Sequence, residues 1–175
     1  AQLIVSFKDR IILSGLEDPN LIAYSKIREE GKPVEFSDFL TQRVDPTGGD
    51  VTALAVLDDK LIIFKESKIY YIAGDGPTNA GAQNNFTEAQ EIASDVGCIA
   101  PNSVVITPNG LMFKSQKGIY MLNRALGTSY IGARVEEFND LNITSALLVS
   151  DTNQVRFTHS NGVCLVYDYL MNLWS

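Results

Sequence analysis

Histidine occurs once in these 175 residues, as His159. One histidine leaves little from which to build a nucleophile–base relay, and no serine or cysteine stands in a G-x-S-x-G context. Cysteine occurs twice, as Cys98 and Cys164. Two cysteines make no disulfide framework, and with one histidine they make no zinc set of the usual ligand types. Both lie in apolar, strand-like contexts and read as free buried thiols. Positive charge is also short: 14 Lys and Arg stand against 21 Asp and Glu, a net charge of −7. That balance argues against a nucleic-acid grip, which needs clustered cations to displace counterions. It leaves open a mildly acidic wall that nucleic acid slides past. No apolar run approaches the roughly 18–20 residues that cross a bilayer as a helix. The first residues, AQLIVSFKDRIIL, lack a signal-peptide layout and begin in what reads as mid-strand. The last, MNLWS, stop on an apolar run. The expectation is a segment cut from a longer chain.

What the sequence does have is a hydrophobic share of 45%, enough for one domain with a real core. The stretch that organises it is Val51 to Ile72, VTALAVLDDKLIIFKESKIYYI. It predicts strands over Val51–Leu57, Lys60–Phe64 and Lys68–Ile72, with Asp58-Asp59 and Glu66-Ser67 in the turns. Short turns make this an antiparallel meander. Upstream, Leu3–Phe7, Arg10–Ser14 and Leu21–Ser25 read as strands. Lys26 to Gly49 reads as a long irregular connection with Phe36 and Phe39 packed under it. Ala73–Ala89 is a Gly- and Asn-rich loop, either a contact surface or mobile. Further strands are expected over Gln90–Ala93, Ser103–Thr107, Leu111–Ser115, Ile119–Asn123, Ile143–Val149, Gln154–Thr158 and Val163–Tyr167. Tyr169–Trp174 is apolar enough to begin another. Ala133–Phe138 is an outer strand or a short helical turn. Asn109-Gly110 and Lys117-Gly118 supply the positive φ of hairpin turns.

The meander recurs. With Phe64, Phe113 and Phe157 aligned, LIIFKESKIYYI, LMFKSQKGIYML and VRFTHSNGVCLV match at spacings of 49 and 44 residues. RIILSG…NLIAYS is a weaker earlier copy. Three or four short strands at a period of about 40–50 residues is the pattern of β-propeller blades. A small sheet cannot bury both faces alone, so neighbouring copies must cover them. The expectation is all-β: one domain or fragment of antiparallel meander blades, a partial or complete β-propeller, with units near 1–49, 50–93, 94–138 and 139–175. The competing architecture is a single sandwich or barrel with look-alike hairpins.

Candidate chemistry thins on inspection. His159 sits beside a Ser160-Asn161-Gly162 turn, where a solvated residue is the ordinary reading. Asp58-Asp59 and Glu136-Glu137 read as water-exposed pairs, since a glycosidase would need two carboxyls about 5 Å apart in one cleft. Pro46–Asp50 and Gly74–Gly76 are Gly-rich but precede no Lys-Ser/Thr and open no helix, so neither is a phosphate loop. Asp151-Thr152-Asn153 lacks the glycine and distal glutamate of a calcium loop. Asn85-Phe86-Thr87 and Asn142-Ile143-Thr144 match the glycosylation triplet, which chance readily produces. Tyr70, Tyr71, Tyr120, Tyr167 and Tyr169 read as packing between blades. Catalytic, cofactor-binding and metal residues are therefore expected to be none.

The phrases DRIILSGLEDPNLIAYSKI, VTALAVLDDKLIIFKESKIYYI, LMFKSQKGIYML and VCLVYDYLMNLWS resemble tail hub and nozzle proteins of short-tailed bacteriophages. The most specific parts are S-G…D-P-N…Y-S and D-K-L-I-I-F-K…I-Y-Y-I. The resemblance implies a non-enzymatic virion protein built around a β-propeller. It implies a homo-oligomeric ring, usually six-fold, with portal or adaptor and tail fibre proteins as partners. Genomic DNA would pass through transiently without specific binding, and no cofactor or membrane is implied. A carbohydrate-binding or glycan-processing propeller is the alternative, and a cellular scaffold propeller a third reading. A glycan site would gather acidic and aromatic side chains at one central face, whereas an assembly module would spread exposed apolar surface along its rims.

Overall fold

The computed structural model describes residues 1–175 as four sheets, each of four antiparallel strands in chain order. The first holds β1 (Leu3–Phe7), β2 (Arg10–Ser14), β3 (Leu21–Tyr24) and β4 (Thr41–Arg43). The second holds β5 (Val51–Leu57), β6 (Lys60–Lys65), β7 (Ile69–Ile72) and β8 (Gln90–Glu91). The third holds β9 (Val105–Thr107), β10 (Gly110–Ser115), β11 (Gly118–Asn123) and β12 (Thr128–Tyr130). The last holds β13 (Ile143–Val149), β14 (Gln154–His159), β15 (Cys164–Asp168) and β16 (Leu173–Trp174). Short 3-10 turns at Pro101–Ser103, Ala133–Phe138 and Ser150–Thr152 complete the regular structure.

Turn chemistry sets the hairpins. Lys8, Asp9 and Asp58 adopt positive φ, and two-residue turns of that kind match the twist of the flanking strands. Gly110 opens β10 at φ +144, where a Cβ would run into the Leu122 carbonyl.

The core lies between the sheets, in three successive seams. Ile12, Ile22 and Tyr24 of the first sheet meet Leu61, Ile63 and Tyr70 of the second. Ile62, Phe64 and Ile69, on the second sheet's other face, meet Leu111, Phe113 and Leu122. Met112 and Ile119 then meet Val155, Phe157 and Leu165. No sheet closes on itself into a barrel. This is a propeller-like succession of blades, each covering the next.

The seams explain a contrast among the second strands. β6 and β10 are buried along nearly their whole length, because both faces are covered. β2 and β14 alternate buried with exposed or half-buried residues, because each has a neighbour on one side only. The same strands correct the repeat. Counted from each strand's first residue, Leu13, Ile63, Phe113 and Phe157 are the equivalents, at intervals of 50, 50 and 44 residues. Phe64 belongs one place later and points to the opposite face, as a one-residue slip requires. Phe64 and Phe113 therefore face each other across one seam, ring centroids 4.9 Å apart.

The two long connections also differ from expectation. Phe36 and Phe39 are exposed; Leu40 and Val44 carry the packing instead. Phe86 anchors Ala73–Ala89 by stacking edge-on against Tyr24, with centroids 5.1 Å apart. Buried Arg10 donates to the carbonyls of Ser25 and Pro77, holding that loop across the first seam. The loop is a tethered strap.

Candidate functional site

The polar side chains that the fold buries gather at the ends of the seams. Lys65, the last residue of β6, is fully buried. Its ammonium donates to Asn20 Oδ1 at 2.5 Å, the Asp45 carbonyl at 2.5 Å and the Gly49 carbonyl at 2.8 Å. Three oxygens satisfy the three donors of a lysine, which is what makes its burial tolerable. Burial still pushes its pKa down, partly offset by the Asp45 and Asp50 carboxylates. These bonds tie the β2–β3 turn of the first sheet and the β4–β5 connection, which joins the first sheet to the second, to the end of β6.

His159 holds the corresponding last place on β14 and is only 3% exposed. This overturns the solvated turn residue expected from sequence. Its turn lies outside the seam, but the alternation that buries Val155 and Phe157 buries His159 too. Neither ring nitrogen has a hydrogen-bond partner. Burial lowers its pKa most; the Leu141 backbone, near the ring but outside hydrogen-bond geometry, raises it, and the Lys114 ammonium lowers it. Lys114 is itself buried, and its ammonium reaches only Asn139 Oδ1, at 3.3 Å. It lines a hollow of about 310 Å³ with Asn139, Asp140 and Asn142.

The stability of this seam is expected to depend on pH. A histidine whose folded pKa lies below its ordinary 6.5 binds its proton more readily once unfolded. Its contribution to stability is complete above pH 6.5 and is lost as pH falls through 6.5 toward the lower folded value. The Tm of the wild type should therefore drop more steeply below pH 6.5 than that of His159→Phe. Each kcal/mol lost corresponds to about 2–4 °C at this chain length. Parallel profiles for the two proteins would contradict the assignment.

The remaining candidates stay apart. Cys98 is buried, its Sγ bonded to the Ala100 carbonyl at 3.3 Å, and burial pushes its pKa up to about 11. Cys164 is exposed on β15, against the expectation of two buried thiols, because its place on the strand faces away from the third seam. Asp58 pairs with Arg124, and Asp59 with Lys60 at 2.6 Å. Glu136 lies in a 3-10 turn and accepts the Tyr130 hydroxyl hydrogen at 2.8 Å. Asp151 lies in the Ser150–Thr152 turn. Asn85 and Asn142 are exposed, but Phe86 between Asn85 and Thr87 is core. Tyr70, Tyr167 and Tyr169 are buried in seams; Tyr71 and Tyr120 pack at the edge of one. His, Cys, Asp and Glu converge nowhere in groups of three or more.

A smaller tie recurs between successive sheets. Lys8, in the β1–β2 turn, pairs at 3.0 Å with Asp75, three residues past β7. Asp58, in the β5–β6 turn, pairs with Arg124, the residue after β11. Asn109, in the β9–β10 turn, donates to the carbonyl of Tyr169, the residue after β15, at 3.0 Å. The first turn of each of the first three sheets thus reaches the end of the third strand in the sheet that follows. Sequence reasoning missed this, since every pair spans some sixty residues or more.

Neither family models nor curated proteins match this chain.

Proposed function

We propose that this chain is a non-enzymatic virion component, a subunit of a short phage tail ring that joins the portal or adaptor to the distal tail. The observation supporting this reading is the succession of sheets whose apolar faces are spent on one another. The phrases that resemble tail hub and nozzle proteins fall on the strands of these sheets: β2–β3, β5–β7, β10–β11 and β15–β16. The exposed apolar side chains are dispersed as an assembly module requires. Ile4 and Leu147 lie on first strands, Ile99 and Phe39 in connections, and Leu170 and Met171 in the last turn. The glycan-binding alternative finds less support, because the hollows beside Lys26–Glu35, Gln42–Pro46 and Asn139–Ile143 have no aromatic lining. In this reading the channel conducts DNA, and the acidic balance lets it pass without being gripped.

Imaging the parent particle tests the proposal. The four-sheet unit is expected as repeated density around the tail axis below the portal. A unit found as a single copy outside any ring would overturn it.

A further inference from the structure

The first and third seams each bury a lysine ammonium at one end, and the two ends are finished differently. In the first, Lys65 Nζ is enclosed by three oxygens at 2.5–2.8 Å, two of them carbonyls of the β4–β5 connection. In the third, Lys114 is only 3% exposed, yet its ammonium has a single oxygen, Asn139 Oδ1 at 3.3 Å. The β12–β13 connection supplies that amide oxygen and no carbonyl. Where further oxygens would stand is the hollow of about 310 Å³. Two of the three ammonium donors are left for whatever enters it.

A second buried donor stands beside the first. Ile143 lines the hollow and is the ladder partner of His159, whose ring nitrogens are both unpartnered. Cross-strand partners project to the same face, which sets the imidazole next to the Lys114 end of the seam. Asp140 is the one carboxylate on the hollow; it is exposed and acts on Lys114 only through its charge. Ile99, Leu141 and Ile143 make the apolar part of the lining. A cationic ligand would meet the ammonium, and a bare inorganic anion would leave those apolar walls against water. What fits is a pair of acceptor oxygens on an apolar body.

We propose that the hollow at the end of the third seam binds a carboxylate carried on a short aliphatic stem. Its oxygens complete the shell of Lys114 and accept the N–H of the His159 ring. Either tautomer of the neutral ring has an N–H to give, so the site does not require a charged imidazole. The stem lies against Ile99, Leu141 and Ile143, and the mouth opens to solvent at Asp140 and Asn142, both exposed. A free aliphatic acid and a glutamate side chain of another protein offer this same chemistry. The site is independent of the tail reading and stands or falls without it.

His159 is the only histidine in the chain, so its ring signals in an NMR spectrum need no further assignment. Titrating the protein with butyrate at neutral pH is expected to move them saturably, with a Kd of about 1–10 mM. Butyramide, of the same shape without the charge, should leave them in place. An end-blocked tripeptide with a central glutamate forms the second arm. Tighter binding than butyrate assigns the ligand to a protein side chain, and weaker binding assigns it to a free acid. Lys114→Gln should weaken butyrate binding by about tenfold or more, since it removes the charge-assisted bonds. Asp140→Asn, at an exposed position, should tighten it about two- to threefold by removing a like charge from the mouth. Ring signals that neither butyrate nor the peptide moves, or that butyramide moves equally, would overturn the proposal. So would an affinity that Asp140→Asn leaves unchanged, a result that decides the matter even if Lys114→Gln fails to fold.

Discussion

Phe113→Ala is expected to cost about 3–5 kcal/mol. The ring is fully buried and lies in the seam between two sheets that are each covered on both faces. It touches Phe64 at 4.9 Å and Tyr120 at 6.2 Å between centroids, so truncation opens a cavity with little room to collapse. Urea unfolding measures the effect directly. The companion change Ile106→Ala, at an exposed apolar position of β9 in the same sheet, should stay within about 0.5 kcal/mol. A Phe113→Ala loss below about 1 kcal/mol would mean the second and third sheets do not depend on that seam.

Lys65→Met should follow with a loss of about 2–4 kcal/mol, despite replacing a buried cation with an apolar chain of similar length. A methionine there could pack well, but the Asn20 amide oxygen and the Asp45 and Gly49 carbonyls would remain buried without their donor. Leaving acceptors orphaned is costly whatever replaces the donor. Asn20→Ala removes one of the three acceptors and should cost less. The double variant should cost less than the two single losses together, because the residues act on one another directly. Strict additivity in denaturant unfolding would refute the coupling.

Much of the fold was legible in the sequence, for reasons particular residues make clear. The strands over Leu3–Phe7, Val51–Leu57 and Ile143–Val149 have the bounds expected of them, because polar turn pairs or a 3-10 turn mark their ends. The fourth strands were harder. Thr41–Arg43 and Thr128–Tyr130 are three residues each, polar, and too short to show alternation, so both were missed. Phenylalanine identity misled the repeat, since Phe64 and Phe113 share a residue type and a seam but not a strand position. The alternation that buries Val155 and Phe157 could have placed His159 correctly; the turn beside it drew attention instead. The inter-sheet ties left no local signal, since each joins a turn to a segment a whole sheet away.

Because every sheet is closed by neighbours in the sequence, its hydrogen-bonded ladders are complete as soon as its own stretch of chain exists. Emerging from a ribosome, the first sheet can zip before the third has been translated, with only its seam partner still to come. Synthesis then proceeds like laying shingles: each addition shields the one before it, and one row of nail-holes is always showing at the growing edge.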